Sequence, residues 1–211
     1  LPILCENSAT PLPASQEGQS LAFRVNFNAH LLRKYAPVYH RRELGRNCLM
    51  DLGLKGRSVL ITGASRGIGL AAVNLFAAEG CELHLAARDG GLLKSHQERL
   101  TREHGVKVHI HPRDLSKTAE VEALGAACRD VDILVNNAGD IPIGNLKQVD
   151  GKTWRESWDL KVFGYVDLTR IIYYAMVERR SGVIVNVIGA AGKNPNPDYI
   201  AGCMEIGRAH V

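Results

Sequence analysis

The chain has 211 residues, 45% hydrophobic and 23% charged, the proportions of an ordinary globular domain. No apolar run approaches the roughly 18 residues needed to span a bilayer, so no membrane partner is expected. The net charge is +4, but residues 1–49 hold Arg24, Arg33, Lys34, Arg41, Arg42 and Arg46 against Glu6, Glu17 and Glu43, which supplies +3 of it. The remainder is nearly neutral, so a nucleic-acid-binding face is not expected. The five cysteines (Cys5, Cys48, Cys81, Cys128, Cys203) are odd in number and scattered, with no CxxC pair. A reducing cytoplasm is the simplest setting for them.

The two ends differ from the middle. The first Met is Met50, and residues 1–20 are Pro/Ser-rich without helical or strand periodicity. Residues 1–49 are therefore expected to be an extension outside the domain, upstream sequence read in frame or disordered chain. The rival is a transit peptide, since Arg24–Arg46 is basic and acid-poor. Glu205–Val211 resembles an in-frame translation of an adapter oligonucleotide and is expected to be a non-native tail. The domain then occupies residues 50–204.

Within it, strand and helix patterns alternate. Ser58–Ile61 is an apolar, β-branched run. Ile68–Glu79 has helical periodicity, and Gly80 stops it as a C′ glycine. Glu82–Ala86 predicts strand two, Gly91–His104 a polar helix, and Lys107–His111 strand three. Thr118–Cys128 predicts a helix that Thr118 could cap. Asp132–Asn136 is a short, continuous apolar strand of the kind buried on both faces. Thr153–Arg180 predicts one long helix and Gly182–Val187 strand five. This alternation predicts an α/β fold, a Rossmann-type doubly wound parallel sheet cut after its fifth strand.

Between strand one and its helix runs Thr62-Gly63-Ala64-Ser65-Arg66-Gly67-Ile68-Gly69. Gly63 permits a tight turn, Gly67 lets a diphosphate approach the backbone, and Gly69 lets helix and strand pack closely. The free N–H groups and dipole of the helix that follows favour an anion. Asn136-Asn137-Ala138-Gly139 closes strand four, and Asp114-Leu115 follows strand three.

Over residues 50–204 these motifs resemble the short-chain dehydrogenase/reductase family. The resemblance implies a nicotinamide cofactor held by Thr62, Gly63, Ser65, Arg66, Gly67, Ile68 and Gly69. It implies that Asp114 and Leu115 contact its adenine. Asn137, Ala138 and Gly139 would stabilise the sheet and line the adenosine ribose. At the end of strand two, NAD-binding members carry an acidic residue, whereas this chain has Ala87-Arg88. A guanidinium attracts a 2′-phosphate and can bind it bidentately, so Arg88, with Arg66, favours NADP(H) over NAD(H). Asp89, one residue on, is the counter-argument.

The implied activity is hydride transfer between NADP(H) and a small carbonyl or alcohol substrate, in an enzyme that commonly forms homo-oligomers. The family's catalytic tetrad is Asn, Ser, Tyr and Lys. Its Asn position falls here on Lys161 and its Ser position on Gly189. The Tyr position falls on Gly202 and the Lys position on Ile206. Tyr199 is the nearby phenol; with the loop Lys193–Asp198 shortened it would fill the Tyr role, leaving Cys203 where the Lys belongs. Two alternatives follow. Either Tyr199 is the acid/base group and Lys161 supplies the charge from the helix side, or the chain binds NADP(H) without turnover, as a sensor or oligomer subunit.

Four further features draw attention. Asn186 alternates away from Val185 and Val187 and is expected to be structural. His109 and His111 share one face of strand three, but no third ligand is evident, so an exposed edge strand is expected and no metal. Trp154 and Trp158 are spaced for core or interface packing. Tyr173 and Tyr174, late on the long helix, are expected at a subunit interface.

Overall fold

The computed structural model describes residues 52–189 and 198–207, with side chains through residue 203. The expected extension at 1–49, most of the loop Lys193–Asp198 and the tail beyond Gly207 lie outside the described residues.

The strands are β1 (Ser58–Thr62), β2 (Glu82–Ala87), β3 (Val108–Pro112), β4 (Ile133–Asn136) and β5 (Val183–Asn186). The helices are α1 (Gly67–Ala78), α2 (Gly90–His104), α3 (Thr118–Ala127), α4 (Gly151–Trp158), α5 (Gly164–Glu178) and α6 (Ile200–Gly207). All strand pairs are parallel, in the order β3-β2-β1-β4-β5. The chain winds outward from β1 to β3, then returns to place β4 on the other side of β1. The crevice between β1 and β4 is thus the switch point where ligands of such sheets bind.

Apolar residues pack on both faces, as a doubly wound sheet requires. On one face Val59, Ile61, Leu83, Leu85 and Val135 meet Val73 and Ala77 of α1 and Leu93 and Leu100 of α2. On the other, Leu60, Ala86 and Leu134 meet Val121 and Leu124 of α3 and Leu168, Ile172 and Met176 of α5. β1 and β4 have nine residues between them, of which eight are buried, so the motif-bearing strands form the rigid centre. β5 is the outermost strand on its side, and none of its four residues is fully buried.

The expected fold stands, with three local corrections. Thr118 is the first residue of α3 rather than its cap; Lys117 holds the cap position and supplies no side-chain bond. The expected helix Thr153–Arg180 begins earlier, at Gly151, because Asp150 accepts hydrogen bonds from Lys152 N and Thr153 N at 2.9 and 2.8 Å. It is also not a uniform α-helix. Residues Asp159–Phe163 form a π turn between α4 and α5, with Gly164 N donating to Asp159 O. The extra residue lets Gly164 lie against the carbonyl of Leu115, where a Cβ would be only 2.8 Å from that oxygen. At the other end, α6 runs over Ile200–Gly207.

Candidate active site

The end of β1 and the end of β4 are fastened together by one residue. Thr62 Oγ1 accepts hydrogen bonds from Asn137 N at 2.9 Å and Ala138 N at 3.0 Å. Asn137 Nδ2 donates back to Thr62 O at 3.0 Å. Thr62 is almost wholly buried, so these bonds form away from water and fix the geometry firmly. The two motifs singled out in the sequence therefore form a single junction.

The turn beyond it divides its glycines by role. Gly69 lies so close to the strand that a Cβ there would overlap the carbonyl of Gly63. Gly67 has φ +56 and open space where its Cβ would be. The first therefore serves helix packing, and the second keeps one side of the turn clear. Arg66 caps α1 without a side-chain bond, and the first turn of α1 has no acidic residue. His96, on α2, reaches the carbonyl of Ser65 at 3.0 Å and braces the turn. That contact has no local cue, because it depends on how α2 lies across α1.

Around the end of β2, charges pair across loops. Asp89 Oδ1 accepts from Leu92 N at 3.0 Å and caps α2, while its Oδ2 lies 3.6 Å from Arg66. Arg88 lies 3.3 Å from Asp140, and both are well exposed. Asp114 is fixed by its own turn, accepting from Ser116 Oγ at 2.8 Å and Ser116 N at 3.2 Å. Desolvation would raise its carboxyl, but these bonds outweigh it and hold the group below the ordinary carboxylate value. Leu115, next to it, is buried against α3 and α5.

On the other side of the crevice, the π turn aims Lys161 toward the end of β4. Its stem passes over Gly139, where a Cβ would be 2.7 Å from Lys161 Cδ. Lys161 Nζ donates to Val187 O, just beyond β5, at 2.7 Å and to Tyr165 Oη at 2.7 Å. Tyr165 is the residue that sequence reasoning missed. A Lys and a Tyr four apart on a helix share a face, and that spacing was the available signal. Tyr199 belongs to another segment: its backbone bridges to Gly144, and its ring lies over Gly202. The structure thus gathers Lys161, Gly139, Tyr165 and Val187 at one point.

Asn186 is structural as expected: its Oδ1 accepts from Asn136 Nδ2 at 2.9 Å across β4 and β5. Trp154 and Trp158 stack edge to face at 6.5 Å, and Tyr173 and Tyr174 are both exposed. The expectation of an exposed histidine pair without a third ligand is corrected. His84 on β2 lies between His109 and His111 with its ring stacked on both, and Cys128 at the end of α3 closes the group from above. His109 alone is exposed, its side chain at 48%, and it pairs with Glu82 at 2.9 Å. Burial, helped by neighbouring charges, pushes His111 down to about 4, and burial also lowers His84. Burial pushes the Cys128 thiol up to about 12.

A parallel sheet wound both ways from β1, with a glycine turn at the switch point, defines a dinucleotide-binding type of α/β protein. Residues 57–202 match the short chain dehydrogenase family, and the chain belongs to it. Nodulation protein G of Rhizobium sp. (strain N33) is 35% identical over 154 residues, covering 71% of this chain and 61% of that protein. Galactitol 2-dehydrogenase (L-tagatose-forming) of Cereibacter sphaeroides is 33% identical over 158 residues, with coverages of 72% and 60%. L-sorbose reductase from Gluconobacter frateurii, solved with NADPH and L-sorbose, superposes with a TM-score of 0.70 at 31% identity, over 75% of this chain and 62% of that one. The chain thus spans about 60% of the length of the curated relatives it matches. Among the described residues no helix is long and apolar enough to cross a membrane.

Proposed function

We propose that this chain carries the cofactor half of an oxidoreductase that moves a hydride between NADP(H) and a small carbonyl or alcohol. The observation that carries the proposal is the junction of Thr62 with Asn137 and Ala138 beside the open face of Gly67. That cradle fits a diphosphate: a Cβ at Gly67 would intrude on clear space, and the first N–H groups of α1 face it without a capping side chain. Thr62, Gly63, Ser65, Arg66, Gly67, Ile68 and Gly69 would hold the diphosphate side. Asp114 and Leu115 would border the adenine, and Asn137, Ala138 and Gly139 the ribose.

Preference for the 2′-phosphorylated cofactor rests on Arg66 and Arg88. The counter-argument from Asp89 weakens, because its carboxylate is committed to capping α2. Arg66 and Arg88 are exposed cations at the end of β2, able to turn from their carboxylates to a phosphate. The NADPH bound in the L-sorbose reductase structure is in keeping with this choice.

When bound, the cofactor supplies or accepts the hydride. This chain's residues would bind it, orient it and handle the proton at the substrate oxygen. Lys161 is the cation at the crevice, with Tyr199 the acid/base phenol in the arrangement first expected. Tyr165 is the competing phenol, since it already receives the ammonium's hydrogen bond at 2.7 Å. An ammonium donating to a phenol oxygen favours the phenolate, the form that accepts a proton. Subunit pairing would use α5, whose Tyr173, Tyr174 and Val177 present apolar surface.

A second reading has its own support: Gly189 stands at the expected serine position and brings no side-chain donor there. On that reading the protein binds NADP(H) without turnover. Fluorescence titration with NADPH and NADH on the complete protein, followed by turnover on a carbonyl panel, separates the two. Tight NADPH binding with turnover supports the enzyme; binding without turnover on any carbonyl supports the sensor. No affinity for either nucleotide defeats both.

A further inference from the structure

The edge of the sheet farthest from Lys161 carries a group that cofactor binding does not use. β2 and β3 pair in register, His84 opposite His109, so His84, His109 and His111 project to the same face. On that face the sheet turns from an apolar floor of Leu60, Ala86 and Leu134 to imidazoles. Cys128, at the C-terminal end of α3, comes down onto them and is almost wholly buried.

Three donor atoms meet there. His84 Nδ1 and His111 Nε2 are 3.1 Å apart, and Cys128 Sγ is 3.5 Å from each. A tetrahedral zinc ion, with Zn–N of about 2.0–2.1 Å and Zn–S of about 2.3 Å, requires N···N near 3.3 Å and N···S near 3.6 Å. The observed triangle matches those edges with a slightly closed N–metal–N angle. Hydrogen bonding accounts for it less well. If the two imidazole nitrogens bond to each other, one must accept and carries no proton, so two protons serve three edges. One ion at the centre satisfies all three.

We propose that His84, His111 and Cys128 form a binding site for a divalent transition-metal ion of zinc's class, with the fourth tetrahedral corner left to water. Two neutral imidazoles and a thiolate are the donor set that borderline ions prefer over magnesium or calcium. The surroundings suit it. The thiol would lose its proton to solvent on coordination. Arg113, two residues from His111, has its charge balanced by Glu120 at 2.6 Å. Beside His84, His109 stacks on its ring at 4.6 Å and pairs with Glu82 at 2.9 Å. The ion would clamp β3, the outermost strand on that side, to β2 and to the end of α3.

The test uses untagged full chain freed of metal and titrated with cobalt(II) and with zinc. One equivalent of cobalt should produce a thiolate-to-metal charge-transfer band and four-coordinate visible absorption. Zinc should bleach both and raise the melting temperature. Cys128→Ser should abolish the charge-transfer band, and His111→Gln should weaken cobalt binding roughly a hundredfold, the scale of lost metal-site support. Cys81→Ser, at a buried thiol elsewhere, should change neither. Wild-type protein that binds cobalt without a thiolate band, or retains the band in Cys128→Ser, overturns the proposal, as does failure to bind either ion. Because NADPH titration is read separately, loss of this site leaves the cofactor proposal standing.

Discussion

The two sides of the β1–β4 crevice are built in different ways. On the β1 side, Thr62, Gly63, Gly67, Gly69, Asn137 and Ala138 form a backbone device. The side chains either vanish or bond to main chain, and the geometry follows from strand order alone. On the β5 side, Lys161 and Tyr165 form a side-chain device that depends on a π turn to aim it. A backbone device stays recognisable wherever its glycines stand. A side-chain device can exchange its residues, and Lys161 with Tyr165 makes this one polar and compact.

The largest effect belongs to the side-chain device. If the chain is an enzyme, Lys161→Met should lower kcat by about 10²–10⁴-fold while NADPH binding persists. Tyr165→Phe and Tyr199→Phe, assayed in parallel for turnover and its pH profile, identify the phenol. The one that matters loses activity on the same scale, and the other changes it little. Equal, small effects of both would break the contrast by leaving the β5 side without acid/base work.

Next comes charge at the end of β2. Arg88→Ala should weaken NADPH about 10–100-fold, the worth of a charge-assisted hydrogen bond, and leave NADH almost unchanged by calorimetry. Equal loss for both nucleotides would remove the case for the phosphorylated cofactor. The backbone device itself is sharpened by Gly69→Ala. Its new methyl meets the Gly63 carbonyl, so a loss of about 1–3 kcal/mol in urea unfolding is expected, with impaired NADPH binding.

The smallest effect lies at the end of β1 opposite the turn, at Asp132. Desolvation raises its carboxyl, but bonds from Ser58 N at 2.9 Å and Ser58 Oγ at 3.0 Å, with Arg57 beside it, outweigh that and lower it. A carboxyl lowered in the folded state stabilises above its unfolded value of about 3.9 and loses that contribution as pH falls through the lower folded value. Asp132→Asn should therefore cost about 1 kcal/mol at neutral pH. The difference from the parent should shrink toward zero as pH drops below about 4.

The backbone side was legible in the sequence for a physical reason. A Cβ has no room at Gly69, and a one-sided strand cannot hide three apolar residues in a row such as Ile133, Leu134 and Val135. The side-chain side was legible only in part. The four-residue spacing of Lys161 and Tyr165 is legible, but the π turn that aims the pair at the crevice arises from packing of Gly164 on Leu115 and not from local propensity. The histidines were seen only along their own strand. His84 and Cys128 join them through strand pairing and the placement of α3, information that lies between segments.

One pair on the far strand has a consequence for how the sheet assembles. β4 and β5 carry the near-identical tetrapeptides Ile-Leu-Val-Asn and Val-Ile-Val-Asn, and their parallel pairing sets Asn136 opposite Asn186. Hydrophobicity alone would scarcely distinguish this alignment from one shifted along the strand, since the other residues are interchangeable. The amide decides. Shifted, the fully buried Asn136 would face a valine and keep only its bond to Thr169, at a cost of about 1 kcal/mol for the hydrogen bond lost to Asn186. Asn136 is in effect a locating pin, admitting the last strand to the sheet in a single position.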